Sequence, residues 1–122
     1  MKTRTCFVAN SSSSSFVLSI PKPKTEEVLG IVDAAHETIA SRTEVVTRNA
    51  KDSVTYLEDL FTWYDDAVKV DASQEEQAII DTAKAQGEND VAIVDIAYED
   101  EETLDKVQEY VVARQTYVGE WV

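Results

Sequence analysis

Asn10 and the run Ser11, Ser12, Ser13, Ser14 and Ser15 form an unbroken polar stretch between Phe7-Val8-Ala9 and Phe16-Val17-Leu18-Ser19-Ile20. A serine becomes a nucleophile only when a general base and an orienting acid stand beside it. The single histidine, His36, falls within a segment of helical periodicity, and no G-x-S-x-G elbow is present. A small hydrolase is therefore the weakest reading of the serines. A processing or docking element formed by Asn10 and Ser11 to Ser15 is the stronger one. Serine runs ordinarily make flexible linkers. Here the apolar run Phe16 to Ile20, closed by Pro21 and Pro23, reads as a buried strand. The serines are then expected in a tight loop, with side chains bonding nearby backbone groups.

The carboxylates are the second group that bears chemistry. The net charge is −13, and it is unevenly placed. Residues 1–51 carry seven Lys/Arg and five Asp/Glu, a balance of +2; residues 52–122 carry four and nineteen, a balance of −15. Such a surface repels phosphate, so direct binding to nucleic acid is disfavoured. Paired carboxylates also serve acid/base catalysis, but with 24 acidic residues adjacent pairs arise by chance. One His and one Cys are too few soft ligands for structural zinc. No calcium loop, phosphate loop or dinucleotide fingerprint occurs. No metal or cofactor is expected.

Two readings of the acidic half compete. One is a solvated face that keeps a small protein dissolved. The other is an electronegative surface for a partner with a basic groove, in the manner of a DNA mimic, because rows of carboxylates can occupy a phosphate-binding channel. On that reading the partner-binding residues are Asp65, Asp66, Glu99, Asp100, Glu101 and Glu102, with Trp63 as an aromatic anchor.

The stretch F-V-x-N-S-S-S-S-S-F-V, Phe7 to Val17, resembles an N-terminal motif of many small, uncharacterised bacterial and bacteriophage proteins. Lys2 and Arg4 precede it, as in those proteins, whereas Ala9 stands where serine or threonine is usual. The resemblance implies a bacterial or phage gene product and carries no activity with it. Together with the charge, it points to a phage accessory protein that binds a host protein in the cytoplasm, with inhibition of that protein as the expected consequence. The alternative is a virion or assembly component docked through the serine stretch.

These residues need a scaffold. The length suits one domain over 1–122, and a composition that is 43% hydrophobic, with three glycines and two prolines, is globular rather than disordered. No apolar run reaches membrane-spanning length, and no secretory leader is recognisable. A single cysteine fits a reducing compartment. Strands are expected near Thr5–Val8, at Phe16–Ile20 and at Val91–Tyr98, with Arg114–Val122 as a last strand or docked tail. Thr25 is the expected cap of a first helix with Val28, Val32, Ala35 and Ile39 inward. A second helix is expected from Asp52 or Ser53, with an apolar face running from Val54 through Tyr64 to Val68. Ser73-Gln74-Glu75-Glu76 is a capping box for a third, with Gly87 near its end. Asp100 caps a fourth, with Leu104, Val107 and Val111 inward. Thr43 to Asn49 fits no single template. The sum is an α+β (or small α/β) domain, two-layered, with three or four helices on a sheet of two to four strands.

Overall fold

A computed structural model of the chain describes residues 13–38 and 42–115. The strand expected near Thr5–Val8 and the residues after Gln115 lie outside this range. The domain is α+β, as the alternation of patterns implies. Four strands form one antiparallel sheet in the order β2-β5-β1-β6: β1 Ser13–Ile20, β2 Glu44–Thr47, β5 Asp90–Ala97 and β6 Val111–Gln115. Strands β3 (Trp63–Asp65) and β4 (Val68–Val70) make a separate hairpin. The helices are α1 Thr25–Thr38, α2 Ala50–Phe61, α3 Gln74–Lys84 and α4 Glu101–Val107. Among the described residues no helix is long and apolar enough to cross a membrane.

β1 and β5 pair along their full lengths, Ser13 opposite Ala97 and Ile20 opposite Asp90. They are the central strands, and both are apolar on both faces, which is why their sequences read as continuous rather than alternating runs. Phe16, Leu18, Ile20, Ala92, Val94 and Ile96 point to α1 and α4, where Val28, Leu29, Val32 and Val107 meet them. Val17, Val91 and Ile93 point the other way, to Leu57 and Phe61 of α2 and Ile80 and Ala83 of α3. The helices thus divide two and two over the faces, which adds a helical layer to the expected two. Burying a side chain such as Phe61 contributes about 1.5–3 kcal/mol.

Several boundaries differ from the sequence expectation. Pro21 opens a 3-10 turn over Lys22–Lys24 that runs into α1, so Thr25 is a helical residue and not the cap. Its hydroxyl instead donates to Asp90 Oδ2 at 2.6 Å. α2 begins at Ala50 because Asn49 caps it, accepting from the Asp52 amide at 2.9 Å. It stops at Phe61: Thr62 is extended, and Tyr64 and Val68, expected on the helix, lie in the hairpin. Aromatic and β-branched residues favour that state. The capping box of α3 is present as expected, Ser73 with Glu76. The helix ends at Lys84 with Ala85 as its C-cap, and Gly87 (φ +66°) turns the chain towards β5 two residues after the cap. α4 ends at Val107, and Val111 belongs to β6, where it faces Leu18. Residues 44–47 of the ambiguous segment form the short edge strand β2.

Candidate functional site

The serine run is part of the scaffold where it is described. Ser13, Ser14 and Ser15 are the first three residues of β1 and are buried, which corrects the expected loop. Pairing with Ala97, Ile96 and Asp95 of β5 extends the strand by three residues beyond its apolar run. In the folded chain these three serines are therefore not accessible for processing or docking. Asn10, Ser11 and Ser12 lie outside the described residues.

Strand alternation sends the serines to different faces. Ser15 points to the α2/α3 side and donates to Asp95 Oδ1. Ser14 points to the α1/α4 side with Phe16. His36 lies on α1, on the opposite side of the sheet from Ser15, and its Nδ1 is 3.0 Å from the carbonyl oxygen of Thr43. The carboxylate and the imidazole of a nucleophilic triad are thus separated by the sheet.

Asp95 lies in a row that crosses all four strands, Glu44, Asp95, Ser15 and Gln115. Burial pushes the Asp95 carboxyl above the ordinary aspartate value of 3.8; the Ser15 hydroxyl opposes that, and the negative charge of Glu44 adds to it. The Tyr56 phenol is raised by burial first, then by the negative charges of Asp95 and Glu44. This is an acidic, partly desolvated strip in which the Ser15 hydroxyl holds the Asp95 carboxylate.

The acidic candidates separate into two groups. Glu99 is exposed and paired with Arg42, which holds its carboxyl below the usual range. Glu101 and Glu102 are exposed on the first turn of α4, and Lys106 approaches Glu102 at 3.2 Å. Asp100 is 2% exposed, which corrects its assignment to a contact surface. Its Oδ1 accepts from the Thr103 amide at 3.2 Å and its Oδ2 from the Thr43 hydroxyl at 3.0 Å. It is a structural cap that ties α4 to the start of β2. Asp65 and Asp66 sit at the hairpin turn that follows α2, so they belong to the other helical layer. Trp63 lies in β3 opposite Val70, and its side chain is outside the described part.

The sequence reading missed the contribution of α1. Glu26, Glu27, Asp33 and Glu37 are exposed on it, and Asp105 and Glu109 extend the same character along and beyond α4. Glu27 and Glu102 line one open groove between the two helices, floored by Gly30, Ile31 and Ala34, with Lys106 at its side. Lys22 and Lys24 mask this signal in a charge count of the N-terminal half. It was legible in the helical spacing of the α1 carboxylates opposite Val28 and Val32.

Among the described residues no group of three or more His, Cys, Asp or Glu is placed to hold a metal ion. Comparison with protein-family models, with curated proteins and with solved structures returned no match.

Proposed function

We propose that this chain is a phage-encoded accessory protein that works by binding, presenting the acidic outer layer of α1 and α4 to the basic surface of a host protein. The observation that supports it is that Glu27 of α1 and Glu102 of α4 line one groove between the two helices, with Lys106 the basic residue beside them, while Glu101 and Asp105 are exposed on the same helix as Glu102. Single exposed charge pairs contribute at most about 1 kcal/mol, so such a surface acts through many contacts at once. It accelerates encounter with a basic partner and loses strength as salt rises. A groove that accepts a phosphate backbone would accept this row of carboxylates in its place.

The test is capture of host proteins by the full chain at low and high salt, beside a variant carrying Glu27→Gln, Glu101→Gln, Glu102→Gln and Asp105→Asn. Asp100 is left intact because it is buried. The expected result is a basic nucleic-acid-binding protein that elutes with salt, releases the chain when duplex DNA is added as competitor, and binds the variant at least tenfold more weakly. A partner whose binding survives the variant but is lost with Asp65→Asn and Asp66→Asn overturns the assignment to this layer. Recovery of the chain in phage particles, with no salt-sensitive partner, overturns the accessory role in favour of a virion component.

A further inference from the structure

A second feature, independent of the acidic layer, lies beneath Ser14. This residue is 3% exposed, and its hydroxyl has no hydrogen-bond partner among the described residues. An unpaired buried hydroxyl costs about 1–3 kcal/mol. Other buried serines avoid that cost: Ser53 donates to the Val91 carbonyl oxygen at 2.6 Å, and Ser19 accepts from Asn89 at 3.0 Å. Ser14 instead lines a cavity of ≈ 120 Å³ between β1, the end of β5 and α4. The walls are Phe16, Ile96 and Leu104, and Arg114 lies over the Phe16 ring, 5.3 Å from its centroid.

We infer that this cavity binds a compact, uncharged molecule with an aromatic or branched apolar body and one hydroxyl. The size is right: apolar cavities of ~150 Å³ take up benzene. The polarity is also right. A buried water needs two to four polar partners; here each Asp100 oxygen is already engaged once, by Thr43 or by Thr103, and the Ser14 hydroxyl is the buried side-chain group with no hydrogen bond among the described residues. One hydroxyl on an otherwise apolar body satisfies Ser14 and leaves the walls in apolar contact. The lining carries the Asp100 and Glu101 carboxylates against the Arg114 guanidinium, an excess of negative charge that disfavours an anion, and a cation would lose its hydration against the apolar walls.

Phenol and benzene are the probes, titrated into the methyl-labelled full chain and followed by NMR. The Ile96 and Leu104 methyl signals are expected to shift with phenol, which binds about fivefold tighter than benzene, the equivalent of one ordinary hydrogen bond. Ser14→Ala is expected to fold with a Tm at or above that of the native chain and to erase the preference while retaining benzene. Leu104→Phe, which fills the space, is expected to lose both ligands. Equal binding of the two probes to the native chain, a phenol preference that survives Ser14→Ala, or phenol leaving Ile96 and Leu104 unshifted overturns the inference.

Discussion

Ser15 of β1 and Asp95 of β5 face each other in the central ladder, and the serine hydroxyl donates to the aspartate Oδ1. Five residues earlier on the same strand, Asp90 accepts from Lys22 Nζ at 2.8 Å and from the Thr25 hydroxyl at 2.6 Å. The two carboxylates are held in opposite regimes. Burial raises the Asp95 pKa, whereas hydrogen bonds from Lys22 and then Thr25 lower that of Asp90.

The pH dependence of their variants should therefore differ in sign. A raised folded-state pKa means that the stability associated with Asp95 is complete below 3.8 and is lost as pH rises through its folded value. Asp95→Asn should melt higher than the native chain at pH 7, with the gap closing in acid. The lowered pKa of Asp90 means stability present above 3.8 and lost as pH falls through its folded value. Asp90→Asn should melt lower at neutral pH, and that gap too should close in acid. Thermal melts from pH 7 downward measure both. A Tm gain for Asp90→Asn at neutral pH would contradict this account.

Thr43 and Asp100 should be energetically coupled. The Thr43 hydroxyl accepts from the Ala97 amide at 3.0 Å and donates to Asp100 Oδ2, completing a ladder that the short strand β2 does not reach. Thr43→Val and Asp100→Ala should each cost about 1–3 kcal/mol by leaving buried groups unpaired. The double variant should cost less than their sum. Urea unfolding of the four proteins measures this, and strict additivity would sink the idea.

A hydroxyl relay closes the other end of β2. Thr47 Oγ1 accepts from the Ile93 amide at 3.0 Å and lies 2.6 Å from Ser53 Oγ, which donates its proton to the Val91 carbonyl oxygen. Ser53 has no second proton, so Thr47 is the donor between them. Ser53→Ala should destabilise by about 1–3 kcal/mol and raise amide hydrogen exchange at Ile93. Unchanged protection at Ile93 would show that the relay is dispensable.

The hairpin turn carries avoidable strain. Asp66 and Ala67 occupy the two turn positions with φ of +52° and +67°, where Asn-Gly is the favoured pair. Ala67→Gly should stabilise by about 0.5–1 kcal/mol, since relief of the left-handed penalty exceeds the added chain entropy. A lower denaturation midpoint would show that the hairpin is held by other contacts.

Much of the architecture was legible in the chain. The apolar runs of β1 and β5, the capping box at Ser73 and Glu76, and the cap at Asp100 all rest on local rules of periodicity and side-chain hydrogen bonding, and the structure carries each of them. The end of α2 was less so. Phe61, Tyr64 and Val68 share a helical period, and only the β preference of Thr62 to Tyr64 decided for a hairpin.

The sequence by itself determined the α+β class, the two central strands and the acidic excess, because these depend on composition and on neighbours a few residues away. Tertiary structure alone decided which polar groups are available. Pairing with β5 drew Ser13, Ser14 and Ser15 into a buried strand. Thr43, 57 residues away, turned Asp100 from a surface charge into a buried cap. The packing of α1 beside α4 set Glu27 next to Glu102. Burial and charge convergence are sums over residues distant in the chain, and no local pattern encodes them.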